Sequence, residues 1–273
     1  MFFAEGVIRW SWNRSSNKWI HQLNPYSNYS YYFVTEGDNP LKIEKKSNTS
    51  SVEGTLVESV MHHAVLDDDK FSWYEGGREF YDGYDFQTGN ARTFQIETPG
   101  LVEKESAIVD VAFSAASINK ATNVNVDINS KLLGSFSVPT YGERENAREV
   151  RKTFRTNHLS KQNAFKFTTT AGNSARLNYI RISYLRKLDA TTAPFAITAN
   201  TAGATTFSVA GANKSTQVWQ LGNSQQPMME LEAKITGDNL RFYTDSPSKR
   251  FVVVDVNANY PAPEFVSEVA NQN

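Results

Sequence analysis

Along residues 177–185 apolar and polar side chains take turns. Ile180, Ile182 and Tyr184 fall on one side of an extended chain, and Tyr179, Arg181 and Ser183 on the other. A period of two belongs to a half-buried strand, because successive Cβ atoms point to opposite faces. Short runs of the same kind recur at 93–97, 107–115, 123–128, 133–139, 149–156 and 164–170. Asn129-Ser130-Lys131 and Ala171-Gly172-Asn173 supply turns between them. Many short strands at this spacing predict a sandwich or jelly roll. The stretch 142–147 is the one irregularity and reads as a single helical turn.

The flanks carry the same signal. Ile8, Trp10 and Trp12 alternate with Arg9 and Ser11, and 19–23 resumes after a polar run, so 2–23 reads as a hairpin. The aromatic run 29–34 reads as a strand closed by the turn cluster Glu36-Gly37-Asp38-Asn39-Pro40. Residues 53–71 fit both a helical stripe and a strand, and the strand is preferred. After a composition shift at 189–194, strands are expected at 195–199, 205–209, 217–221, 229–235, 240–244 and 251–256, and a short helix starting at Pro263. The expectation is an all-β protein of several sandwich modules. Residues 1–92 form an N-terminal β layer and a partial domain, 93–188 a jelly-roll-like sandwich, 189–259 a small Ig-like sandwich, and 260–273 a linker. Met1 opens directly onto a strand pattern, which reads as a boundary rather than a natural start.

Of the 273 residues, 40% are hydrophobic, enough for real cores; 28 basic and 29 acidic residues nearly cancel, against the basic face a nucleic-acid binder needs. No apolar run approaches the roughly 20 residues of a membrane-spanning helix, and no signal-peptide pattern opens the chain. Cysteine is absent, which excludes disulfides, thiolate metal sites and a thiol nucleophile.

An ordered set of motifs runs through the chain: Ala4-Glu5-Gly6, Arg9-Trp10, His21-Gln22-Leu23-Asn24-Pro25-Tyr26-Ser27 and Tyr31-Tyr32-Phe33; Gly76-Gly77-Arg78-Glu79-Phe80-Tyr81, then Phe94 and Pro99-Gly100-Leu101; Leu177-Asn178-Tyr179-Ile180 and Tyr184-Leu185-Arg186; Gln217-Val218-Trp219-Gln220; and Val269-Ala270-Asn271-Gln272-Asn273. This set resembles the N-terminal, non-catalytic region of the PorU-type sortases of the type IX secretion system in Bacteroidetes, members of the gingipain-like cysteine peptidases. The resemblance implies that the chain stops just ahead of a caspase-like peptidase domain holding the catalytic His and Cys. The family trims C-terminal signals from exported cargo and attaches the cargo to an anionic lipopolysaccharide. For this chain it implies an exported protein at the cell surface or outer membrane. Its partners would be the downstream peptidase domain, and cargo or other secretion components; it implies no nucleic acid and no cofactor.

No residue is assigned as catalytic, cofactor-binding or metal-ligating. His62-His63 with Asp67-Asp68-Asp69 has metal-ligand chemistry, but adjacent histidines on a strand point to opposite faces, so a strand followed by an acidic turn is preferred. In Glu75-Gly76-Gly77-Arg78-Glu79 and Tyr81-Asp82-Gly83-Tyr84-Asp85, Arg78 could clamp a carboxylate bidentately; the preferred reading is a structured inter-domain loop in which Arg78 and Glu79 pair. Trp10, Trp12, Trp19, Tyr26, Tyr29, Tyr31 and Tyr32 could stack on sugars, and are read instead as core and edge cover. None of His21, His62, His63 and His158 lies in a nucleophile elbow, and Gly134-Ser135 is only half of that motif. Four Asn-x-Ser/Thr triplets, at Asn13, Asn28, Asn48 and Asn213, are chance matches. Two other readings compete with the accessory role: a carbohydrate-binding jelly roll and a propeptide-like inhibitor.

Overall fold

The computed structural model describes residues 6–24, 26–33, 38, 43–48, 54–87, 89–170, 173–199, 203–222, 227–245 and 249–268. The strands are β1 (Arg9–Asn13), β2 (Lys18–Gln22), β3 (Glu44–Ser47), β4 (Thr55–Val57), β5 (Ser59–Asp67), β6 (Ala91–Glu97), β7 (Ala107–Ala116), β8 (Thr122–Ile128), β9 (Lys131–Val138), β10 (Arg148–Thr156), β11 (Gln162–Thr169) and β12 (Ser174–Lys187). They continue as β13 (Phe195–Thr198), β14 (Thr205–Val209), β15 (Thr216–Gln220), β16 (Met229–Glu232), β17 (Lys234–Thr236), β18 (Asn239–Thr244) and β19 (Arg250–Asp255). The one helical element among the described residues is a 3₁₀ turn, Ala190–Thr192. The protein is all-β, as the alternation predicts.

Two antiparallel four-stranded sheets, ordered β10-β7-β12-β5 and β6-β11-β8-β9, form the larger sandwich. Ile180, Ile182 and Tyr184 point inward with Phe113, Phe165 and Phe167, all fully buried. The β8–β9 hairpin closes on Asn129 and Ser130, both at positive φ (50° and 66°). That is the backbone twist a two-residue hairpin needs, and Asn tolerates it well. The Asn129 Oδ1 then accepts from the Ala164 amide at 2.9 Å, tying the turn to β11.

The smaller sandwich pairs sheet β13-β19-β15-β16-β3 with sheet β17-β18-β14-β4 around Phe207, Phe242 and Phe251. The expected strand 229–235 is in fact two. Leu231 is buried in the first sheet, the chain breaks at Ala233, and Ile235, 40% exposed, sits in the other sheet. Alternation continues across the break because both halves are extended, so only the pairing partners reveal the switch.

Strands from the first 67 residues join both sandwiches. β5 completes the β7–β12 sheet, β3 runs parallel to β16, and β4 runs parallel to β14. Several local expectations fail. Residues 29–33 form no strand, 142–147 holds a turn rather than a helical turn, and 261–268 contains no helix. β-Propensity alone does not make the aromatic run a strand. The motif at Val269–Asn273 and part of the turn cluster at 36–40 lie outside the described residues.

Candidate functional site

The hairpin β1–β2 lies on the outer face of the β10-β7-β12-β5 sheet. Its register sets Trp10 against His21 and Trp12 against Trp19, so alternate residues of both strands face the sheet. Trp19 is buried; its backbone N–H donates to Ser183 Oγ at 3.0 Å and its indole N–H to the Met61 carbonyl at 2.9 Å. Trp10 stacks on His63 with ring centres 3.7 Å apart.

Under this lid runs a chain of charges. Lys18 Nζ reaches Asp110 Oδ1 at 2.6 Å, and Arg181 donates to Asp110 Oδ2 at 2.8 Å through Nη2. Arg181 Nη1 lies 3.2 Å from His21 Nδ1, and His21 Nε2 lies 2.8 Å from Asp67 Oδ2. A guanidinium can only donate. His21 Nδ1 therefore accepts, and the ring proton sits on Nε2, pointing at Asp67. This is a histidine–aspartate pair whose free lone pair is already taken. A general base needs that lone pair for its substrate, and among the described residues no serine, threonine or lysine side chain hydrogen-bonds His21. The cluster is a clasp between hairpin and sheet. Burial pushes the Asp110 carboxyl upward, but hydrogen bonds from Lys18, Thr153 and Arg181 outweigh it and hold the pKa below its usual value.

The histidine pair departs from expectation. His62 and His63 stack on each other at 4.7 Å between ring centres. They meet because the His62 ring folds back onto the backbone of His63, whose N–H donates to His62 Nδ1 at 2.8 Å. Burial, then the nearby Arg186, lowers the His62 pKa to about 4. Burial, then His62, Arg186 and His21, lowers that of His63 to about 2. Of the acidic run, Asp67 is under the hairpin, Asp68 pairs with Lys70 at 2.7 Å, and burial plus the neighbouring Asp67 raises Asp69 to about 6. Among the described residues no three His, Asp or Glu side chains converge on a point where a metal ion would fit.

Beside the clasp, loops 72–81 and 141–147 border a recess of about 420 Å³. Trp73 and Tyr74 form one wall, Arg144, Glu145, Asn146 and Ala147 another, and Glu79, Tyr81 and Glu149 complete the lining. Glu79 pairs with Arg151 at 3.8 Å, not with Arg78. Gly76 takes φ +77°, which justifies the glycine there. Sequence reasoning missed the recess because its two loops lie some 65 residues apart.

The N-terminal aromatics divide. Trp10, Trp12 and Trp19 cover the sheet, as read from the alternation. Tyr26, Tyr29 and Tyr31 are 81%, 72% and 66% exposed and belong to no core.

A solved structure of dimeric latent PorU from Porphyromonas gingivalis superposes on 99% of this chain with a TM-score of 0.79 and 18% sequence identity. The chain thus has the fold of a stretch of PorU, spanning 27% of that protein's length. A second structure, the T13 IBDV viral particle, aligns at a TM-score of 0.24 and 10% identity over 86% of this chain and 46% of that one, too weakly to bear on the fold. No protein-family model and no curated protein matches the sequence. Among the described residues no helix is long and apolar enough to cross a membrane.

Proposed function

We propose that this chain is the non-catalytic accessory region of a cell-surface cysteine peptidase that processes the C-terminal signals of type IX secretion cargo. The observation that carries the reading is the superposition on PorU along nearly the whole chain. The ordered motifs and the absence of any cysteine point the same way. Residues 93–188 and 189–259 serve as the two sandwich units, 1–92 as the layer that binds them together, and 260–273 as a linker to a peptidase domain. The exported, outer-membrane-associated setting, and contact with cargo or other secretion components, come with this reading.

The clasp fits such a role. A His–Asp pair locked by Arg181 does no chemistry, but it fixes an N-terminal lid on a rigid sandwich. The PorU structure is of a latent form, which supports a masking duty for the region as well as a supporting one. Purified chain should cleave no peptide, with or without thiol reagents. Intrinsic cleavage that ignores those reagents would overturn the proposal. Adding the chain to the separately expressed peptidase domain should yield a complex on gel filtration. Lost turnover in that mixture would favour the masking role.

A further inference from the structure

We propose that the recess between loops 72–81 and 141–147 is a binding site for a neutral sugar ring. This goes beyond the accessory role and does not depend on it.

The volume, about 420 Å³, falls in the range of small-ligand pockets. Its walls combine an aromatic side with planar polar groups. Trp73 is held in place by its indole N–H, which donates to Ser114 Oγ at 3.0 Å, and by edge contacts with Phe71 and Tyr81 at 5.0 and 6.1 Å. Tyr74 next to it is 57% exposed, so its ring is available to a ligand. An apolar ring face beside fixed donors and acceptors suits a pyranose, which has C–H faces and an equatorial belt of hydroxyls.

The electrostatics decide against a cation. Three carboxylates line the recess, which at first reading invites a lysine or arginine. Two arginines pair with the three: Arg151 takes Glu149 at 2.6 Å and Glu79 at 3.8 Å, and Arg148 takes Glu145 at 2.7 Å; Arg144 in the lining brings the third positive charge. Glu149 also accepts from Asn178 at 2.7 Å. Burial, then the charge of Glu149, raises the Tyr81 pKa, so its hydroxyl stays protonated and hydrogen-bonds Glu149. With charge compensated locally, what the wall offers is a mixed set of donors and acceptors. Hydroxyls, which both donate and accept, match that set. The bordering segments are loops mounted on a rigid sandwich, where binding functions concentrate.

The test is a panel of neutral mono- and oligosaccharides (hexose and N-acetylhexosamine series) titrated against the full chain by isotope-edited NMR. Binding is expected to perturb Tyr74, Glu79 and Asn146, and to change little with salt. Tyr74→Ala and Glu79→Gln alter exposed side chains, so the fold is retained; each should weaken binding about tenfold, one decade in Kd. Tyr29→Ala, on the exposed aromatic run outside the lining of the recess, should leave it unchanged. Absence of binding by every sugar in the panel overturns the proposal. So does sugar binding that is indifferent to Tyr74→Ala and Glu79→Gln, and so does a preference for lysine- or arginine-rich peptides that fades with added salt.

Discussion

Arg181 grips Asp110 at 2.8 Å in a place where neither side chain is more than 7% exposed. They sit on neighbouring strands of one sheet, opposite each other in register. Removing one partner strands the other charge in a poorly solvated site. Asp110→Asn should therefore cost about 3–5 kcal/mol, read as a lower urea midpoint at unchanged slope. The triple replacement Lys18→Met, Asp110→Leu and Arg181→Met should recover much of that, because a buried ion cluster is no better than good apolar packing.

Acid should loosen the hairpin. The unfolded chain protonates His62 and His63 near pH 6.5, whereas the folded chain resists until about pH 4 and 2. Between those limits the unfolded state binds more protons, so stability is full above pH 6.5 and falls as pH drops. The slope is about 1.4 kcal/mol per pH unit for each histidine. Asp69, raised to about 6, opposes this because the folded state takes its proton first. Its proximity to solvent weakens that opposition. Thermal melts from pH 7.5 to 4.5 should show a steady decline, and His63→Phe should flatten it.

Gly134 on β9 lies under Phe154 of β10. A Cβ there would come within 2.5 Å of the Phe154 ring. The ring packs against the larger core, so it cannot move without opening a gap. Gly134→Ala should cost about 1–3 kcal/mol from overpacking, and the pair Gly134→Ala with Phe154→Leu should cost less than the sum, as a double-mutant cycle would measure.

Arg186 joins the sandwiches. It donates to the Thr192 carbonyl and hydroxyl at 3.0 and 2.9 Å, and its guanidinium lies 4.4 Å from the Phe195 ring centre. Arg186→Met should leave each core intact while weakening the junction. Calorimetry should then resolve two transitions, with the smaller sandwich melting first.

The strands of the larger sandwich were legible because their information is local. Alternation at 179–184 states which side chains face inward, whatever lies opposite. The unreadable parts all concern partners. Asp110 and Arg181 look like ordinary outward-facing charges until a hairpin more than 80 residues upstream lands on them. His62 and His63 should point apart on a strand, yet they stack because the His62 ring turns back onto the His63 backbone. The run at 29–33 has strand composition but forms no strand, and 229–235 alternates smoothly through a change of sheet.

The sequence by itself determined that this chain is all-β, where most of its strands lie, and that it carries no thiol chemistry. Only the tertiary structure decided which strands share a sheet, that His21 and Asp67 meet beneath the hairpin, and that two distant loops enclose a recess. The physical reason is range. Side-chain alternation is written into neighbouring residues, whereas sheet order, charge compensation and concave surfaces arise between residues that the chain brings together only on folding.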